Sequence, residues 1–141
     1  MEVPVGPHRP VADSDSHAWW SAIQDRTLMV NGCASCGRKS LYARPFCPHC
    51  WSEDVALVAA SGHGTLYTWS VVHQNAAPFD ARAPYVVAMV DLAEGPRVMS
   101  TVEGCDAAEL RAGMALTVSF REDEDGFVVP VFHPAHPVSS R

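Results

Sequence analysis

Two CxxC pairs, a β-textured second half and one short tryptophan-bearing stretch predict a mainly β protein. The expected order is a short N-terminal helix, a four-cysteine ribbon and a five-stranded, partly open Greek-key barrel of the OB type. The 141 residues suffice for two small modules. The division read from the sequence is an extended arm at 1–12, a helix at 13–26, ribbon and connector at 27–60, barrel at 61–135 and tail at 136–141.

The arm, MEVPVGPHRPVA, carries three prolines and no helical or strand period. The run DSDS then offers N-cap oxygens for the first amide hydrogens of a helix over about 15–25, where Trp19, Trp20 and Ile23 share a stripe. Two adjacent tryptophans on a short helix are costly to leave in water, which predicts packing on the rest of the chain or a ligand or partner surface.

The segment RTLMVNGCASCGRKSLYARPFCPHC reads as strand, knuckle, strand, knuckle, with Gly32, Ala34 and Gly37 small enough for a tight approach to one ion. SEDVALVAASG follows as an acidic connector. Strand candidates then fall at about 63–73, 84–92, 97–103, 114–120 and 127–132, from alternation in HGTLYTWSVVH and a β-branched apolar run in PYVVAMVDL. AEGP and EDEDG make the turns, and DAAELRAG one helical turn ended by Gly113. Three strands, a short helix and two strands is the OB order.

Net charge is −6, from 16 acids and 10 bases, and Lys39 is the only lysine. That is a poor footprint for a phosphate backbone, so nucleic acid is disfavoured as a partner, although Tyr67 and Trp69 on a barrel strand have the chemistry for base stacking. Four bases, Arg26, Arg38, Lys39 and Arg44, fall within or beside the first half of the cysteine module. No apolar run of about 18 residues and no secretory leader is visible, which predicts no membrane partner and a cytoplasmic location.

Cys33, Cys36, Cys47 and Cys50 supply four thiolates, a tetrahedral set suited to one structural zinc ion with no coordination position left for water. A catalytic zinc needs an open position, and His49 is the only imidazole inside a knuckle. A redox CxxC belongs beside a βαβ unit, which the pattern lacks. Spacing alone does not separate zinc from iron, with zinc favoured. Cys105 has no base near it in sequence and reads as a buried or idle thiol. His73, at the end of the first barrel strand, stands without a partner. The chain shows no GxSxG, no phosphate-binding glycine loop and no HExxH, so it is not expected to be catalytic alone.

With these motifs in place the chain resembles a family of small acyl-CoA-associated proteins that join an N-terminal helix, a rubredoxin-like zinc ribbon and an OB-fold. The resemblance runs from about Trp19 to Pro134 through the WW helix, CASCG, RPFCPHC, GHGTLYTWSVVH, PYVVAMVDLAEGPRVMS, LRAGMALTVSF and VPVFHP. It implies an accessory subunit of a thiolase-like or aldolase-like enzyme, or of a hydratase, that completes and stabilises its partner and helps bind the CoA ester. An anionic aromatic nucleotide with an apolar tail would use cations and aromatics together, which makes Arg38, Lys39, Arg44, Trp19, Trp20, Trp69 and Phe79 the candidate CoA or partner surface. An independent acyl-CoA-binding protein is the other implied role.

Overall fold

The computed structural model describes residues 10–74, 83–123 and 125–135. Helix α1, His17–Gln24, is short, and its entry is fixed by Asp13 rather than by a cap at Ser16. The Asp13 carboxylate accepts the Ser16 and Asp15 amides at 2.8 and 3.0 Å, and the Ser16 hydroxyl accepts the Asp13 amide at 3.0 Å. This reciprocal arrangement is a capping box. It holds the Asp13 carboxyl below its usual range, first through the Ser16 amide.

The ribbon is a three-stranded antiparallel sheet in the order β2-β1-β3, formed by β1 Met29–Cys33, β2 Lys39–Ser40 and β3 Val55–Ala59. The sequence reading placed a connector where β3 lies. The correction has a physical reason: Val55 and Leu57 are half-buried in alternation with more exposed neighbours, and the strand pairs with β1 across both knuckles, from Met29 with Ala59 to Cys33 with Val55. Such a non-local pairing leaves a weak local signal.

The barrel contains β4 His63–Val72, β5 Tyr85–Leu92, β6 Arg97–Ser100, β7 Ala115–Glu122 and β8 Val128–Pro134, in the order β6-β5-β4-β7-β8. A single 3-10 turn, Ala107–Glu109, stands between the third and fourth barrel strands, as the OB order requires. The expected strand over 97–103 divides its partners. Residues 97–100 pair with β5, whereas Thr101 and Glu103 bond to Phe132 of β8, with Val102 bridging Phe132 in parallel. That switch curls the five-stranded sheet into a barrel.

β4 is shared by β5 and β7, and its register slips between Leu66 and Thr68. At Gly64 a Cβ would come within 2.8 Å of the Asp91 carbonyl oxygen and of a Val90 methyl, so the close approach of β4 to β5 requires glycine.

One buried cluster unites the modules. Trp19 and Ile23 of α1 and Leu28 and Val30 of the ribbon side pack with Leu66, Val90, Leu116 and Phe132 of the barrel. The Trp19 indole also donates to the Met29 carbonyl at 2.9 Å. Of the predicted stripe of Trp19, Trp20 and Ile23, Trp19 and Ile23 are therefore core and Trp20 packs half-buried against it; no helix among the described residues is long and apolar enough to cross a membrane.

Candidate metal centre and docking surface

The two knuckles face each other because β1 leads into Cys33 and β3 leaves after Cys50, while the Cys33 amide donates to the Arg38 carbonyl and the Cys47 amide to the Ser52 carbonyl. Gly37, at φ +78°, closes the first knuckle; Trp51, at φ 66°, occupies the same left-handed region after the second. The Ser35 and Ser52 hydroxyls, 2.7 Å apart, tie the knuckles together.

The Sγ atoms of Cys33, Cys36, Cys47 and Cys50 lie within 4.8 Å of one another, with Cys33–Cys50 and Cys36–Cys47 each at 3.6 Å. A tetrahedron with Zn–S bonds of about 2.3 Å separates its sulfurs by about 3.8 Å, so the set has the size of a zinc site and is too open for disulfides. The Cys36 amide donates to Cys33 Sγ and the His49 amide to Cys47 Sγ, both at 3.4 Å.

The Cys36 amide is the main reason that the Cys33 thiol is lowered to about 6. Burial works against the Cys47 thiolate, yet the amides of Cys50 and His49 outweigh it and lower that pKa too. The Ser52 amide favours the Cys50 thiolate, but burial and the three neighbouring sulfurs push Cys50 up to about 12. Crowded thiolates of this kind call for a central dication. The four cysteines thus fit one structural zinc ion, whose chemistry is to fix the ribbon.

The surface candidates are spread over three places. Trp19 is only 5% exposed and belongs to the core. Trp20 is half-buried, edge-on to Trp19 at 4.8 Å and tilted against Phe127 at 5.6 Å. Arg38 and Arg44 are exposed on the ribbon and Lys39 is half-buried there; Arg38 reaches His49 Nδ1 at 3.3 Å. Trp69 is half-buried and packs on the barrel core. Phe79 lies outside the described residues.

Several features were missed by sequence reasoning. Phe46 and Trp51 stack at 5.4 Å and 11°, leaving Trp51 74% exposed beside the metal centre. Tyr67 lies under the Arg97 guanidinium at 3.5 Å, and Arg97 is also clasped by both Asp91 oxygens at 2.6 and 3.2 Å. The Tyr42 hydroxyl accepts the Met99 amide at 3.1 Å, joining ribbon to barrel. Trp51, an aromatic directly after a ligand cysteine, carried a local signal, and Tyr67 stood out as a strand aromatic without its Arg97 partner.

A groove of about 850 Å³ runs along the barrel between β5, β6 and β8. His73 and Cys105 line it, and burial, with the Glu109 and Asp106 carboxylates, raises the Cys105 thiol and keeps it neutral.

A helix-capped, all-cysteine ribbon fused through one core to an OB barrel defines a two-module zinc-ribbon protein. The profile of the ChsH2 rubredoxin-like zinc ribbon domain matches residues 20–56, and that of the ChsH2 C-terminal OB-fold domain matches 57–121. The chain belongs to this zinc-ribbon and OB-fold family, the DUF35 family of its scaffold-protein relatives.

The chain is 35% identical over 129 residues to a probable enoyl-CoA hydratase alpha subunit of Thermomonospora curvata; the match takes in 92% of this chain and 40% of that protein's length. It is 31% identical over 126 residues to a DUF35 domain-containing scaffold protein of Methanocaldococcus jannaschii, covering 86% and 89%. With the benzoylsuccinyl-CoA thiolase subunit BbsA of Thauera aromatica it shares 30% over 101 residues, covering 67% and 65%. Among solved structures, a chain of an Ltp2-ChsH2(DUF35) aldolase superposes with a TM-score of 0.83 at 34% identity, covering 91% of this chain and all of that one.

Proposed function

We propose that the chain is a non-catalytic accessory subunit that docks on and stabilises a thiolase-superfamily enzyme (a thiolase, acyltransferase or retro-aldolase) acting on acyl-CoA in the cytoplasm, and that it helps hold the CoA ester. The observation that carries this reading is the match along the whole length of a chain from an aldolase complex. The thiolase-subunit relative supports the same role. The site chemistry agrees: the metal set is closed, and the Cys105 thiol is held neutral.

A hydratase partner is the second reading, favoured by the Thermomonospora relative. Nucleic acid fits less well. One face of Tyr67 is taken by Arg97, and Asp91 neutralises that cation, so the ring and the charge there are already engaged with each other.

The test is co-expression of the tagged chain with a thiolase-like, aldolase-like or hydratase-like enzyme encoded beside it, followed by activity assays with and without the chain. A stable complex whose turnover depends on the chain is expected. An enzyme that neither binds the chain nor changes its rate with it sinks the proposal.

A further inference from the structure

The groove along the β6–β8 seam has the volume of a small-molecule site. Val86, Val87, Val102, Val129, Val131 and Met99 form its apolar wall.

Several backbone groups of this seam already have partners. Val128 of β8 is closed by the Gln24 amide, which accepts from its N–H at 2.9 Å and donates to its carbonyl at 3.0 Å. Pro130 has no N–H, and its carbonyl accepts the Ser100 hydroxyl at 3.1 Å. Phe132 bonds to Thr101 and Glu103, and the Met99 amide on β6 is capped by Tyr42. An extended polypeptide adding to a sheet needs an unbroken run of free edge groups, and these contacts interrupt it.

The charges exclude phosphate in the same way. Arg121, the one arginine in the lining, is held by Glu103 and by Asp123 at 3.0 Å, and Asp106 lies on the same wall. This end of the groove is net acidic and repels an anionic head group. The apolar wall suits an uncharged apolar chain better than either.

We propose that this groove receives the acyl portion of the CoA thioester, with the nucleotide lying outside it. The choice of thioester rests on the accessory-subunit reading above. Tail burial there would let the chain grade substrates by acyl length.

The test uses the full chain alone, titrated calorimetrically with CoA, butanoyl-CoA and octanoyl-CoA at one ionic strength. Each buried methylene is worth up to about fourfold in affinity, so octanoyl-CoA is expected to bind at least tenfold more tightly than butanoyl-CoA, and CoA weakest. Val129→Gln is expected to weaken octanoyl-CoA at least tenfold without loss of zinc. Methyl NMR shifts on adding octanoyl-CoA to the unmodified chain, expected at Val86, Val87 and Val129, keep the test open if that variant fails to fold. Equal affinity across the series, no binding at all, or methyl shifts confined to the ribbon would overturn the groove assignment. Length-graded binding in a chain that supports no partner enzyme would keep the groove and remove the subunit reading.

Discussion

Replacement of Gln24 by alanine measures how firmly α1 closes the barrel. The Gln24 side chain spans 104 residues to act as a strand partner for Val128, meeting both its N–H and its carbonyl. Val128 is 4% exposed, so Gln24→Ala leaves one donor and one acceptor poorly served. Each unsatisfied buried group costs about 1–3 kcal/mol. Gln24 is itself half-buried, which lets water reach the vacated side and brings each cost to the low end, about 2 kcal/mol together. Alanine is the better helix former by a few tenths of a kcal/mol, so propensity acts in the opposite direction. At this chain length each kcal/mol moves Tm by about 3–4 °C, and a fall of about 7 °C is expected in thermal unfolding followed by circular dichroism. Gln24→Glu keeps the acceptor for Val128 N–H but sets a carboxylate against its carbonyl, so it should recover at most half. A shift under about 2 °C for the alanine variant, or full recovery by glutamate, would refute the reasoning.

Two further outcomes follow from the site and its surroundings. Cys36→Ser should lose the zinc and the cooperative unfolding transition, because structural zinc contributes about 10–16 kcal/mol against a total stability of about 5–15 kcal/mol. Leu28 and Val30 share the barrel's core, so the loss should spread beyond the ribbon; metal analysis and near-ultraviolet dichroism check it, and retained zinc with unchanged stability argues against it. Burial raises the Glu94 carboxyl, but the Ser61 amide, donating at 2.9 Å, and nearby His63 bring it below the usual carboxylate range on balance. A lowered folded pKa gives stability that is present above the unfolded value and lost as pH falls through the folded one. Glu94→Gln should therefore be less stable than the parent at pH 7, with the gap closing at acid pH; urea midpoints that differ equally at pH 7 and pH 3 would count against this.

The two CxxC knuckles were legible because ligand spacing is a local property, and so were the five barrel strands and, of the expected stripe of Trp19, Trp20 and Ile23, the buried Trp19 and Ile23, whose periods are written in consecutive residues. Strand β3 was not, since its pairing with β1 joins segments separated by both knuckles. The surface candidates fared unevenly for the same reason. Trp19 and Trp20 are neighbours with one chemistry, yet a step along the helix turns one into the core and leaves the other half-buried against Phe127.

By itself, then, the sequence determined the modules, their order and the sulfur chemistry, because cysteine spacing, turn residues and hydrophobic period act within a few residues. Only the tertiary structure decided how the barrel seam is treated: Gln24 reaching Val128, Ser100 reaching Pro130 and Tyr42 reaching Met99 interrupt the sheet edge beside an apolar groove. Those contacts join positions 30 to 104 residues apart, and no local rule encodes which distant backbone group a side chain will meet when the core closes.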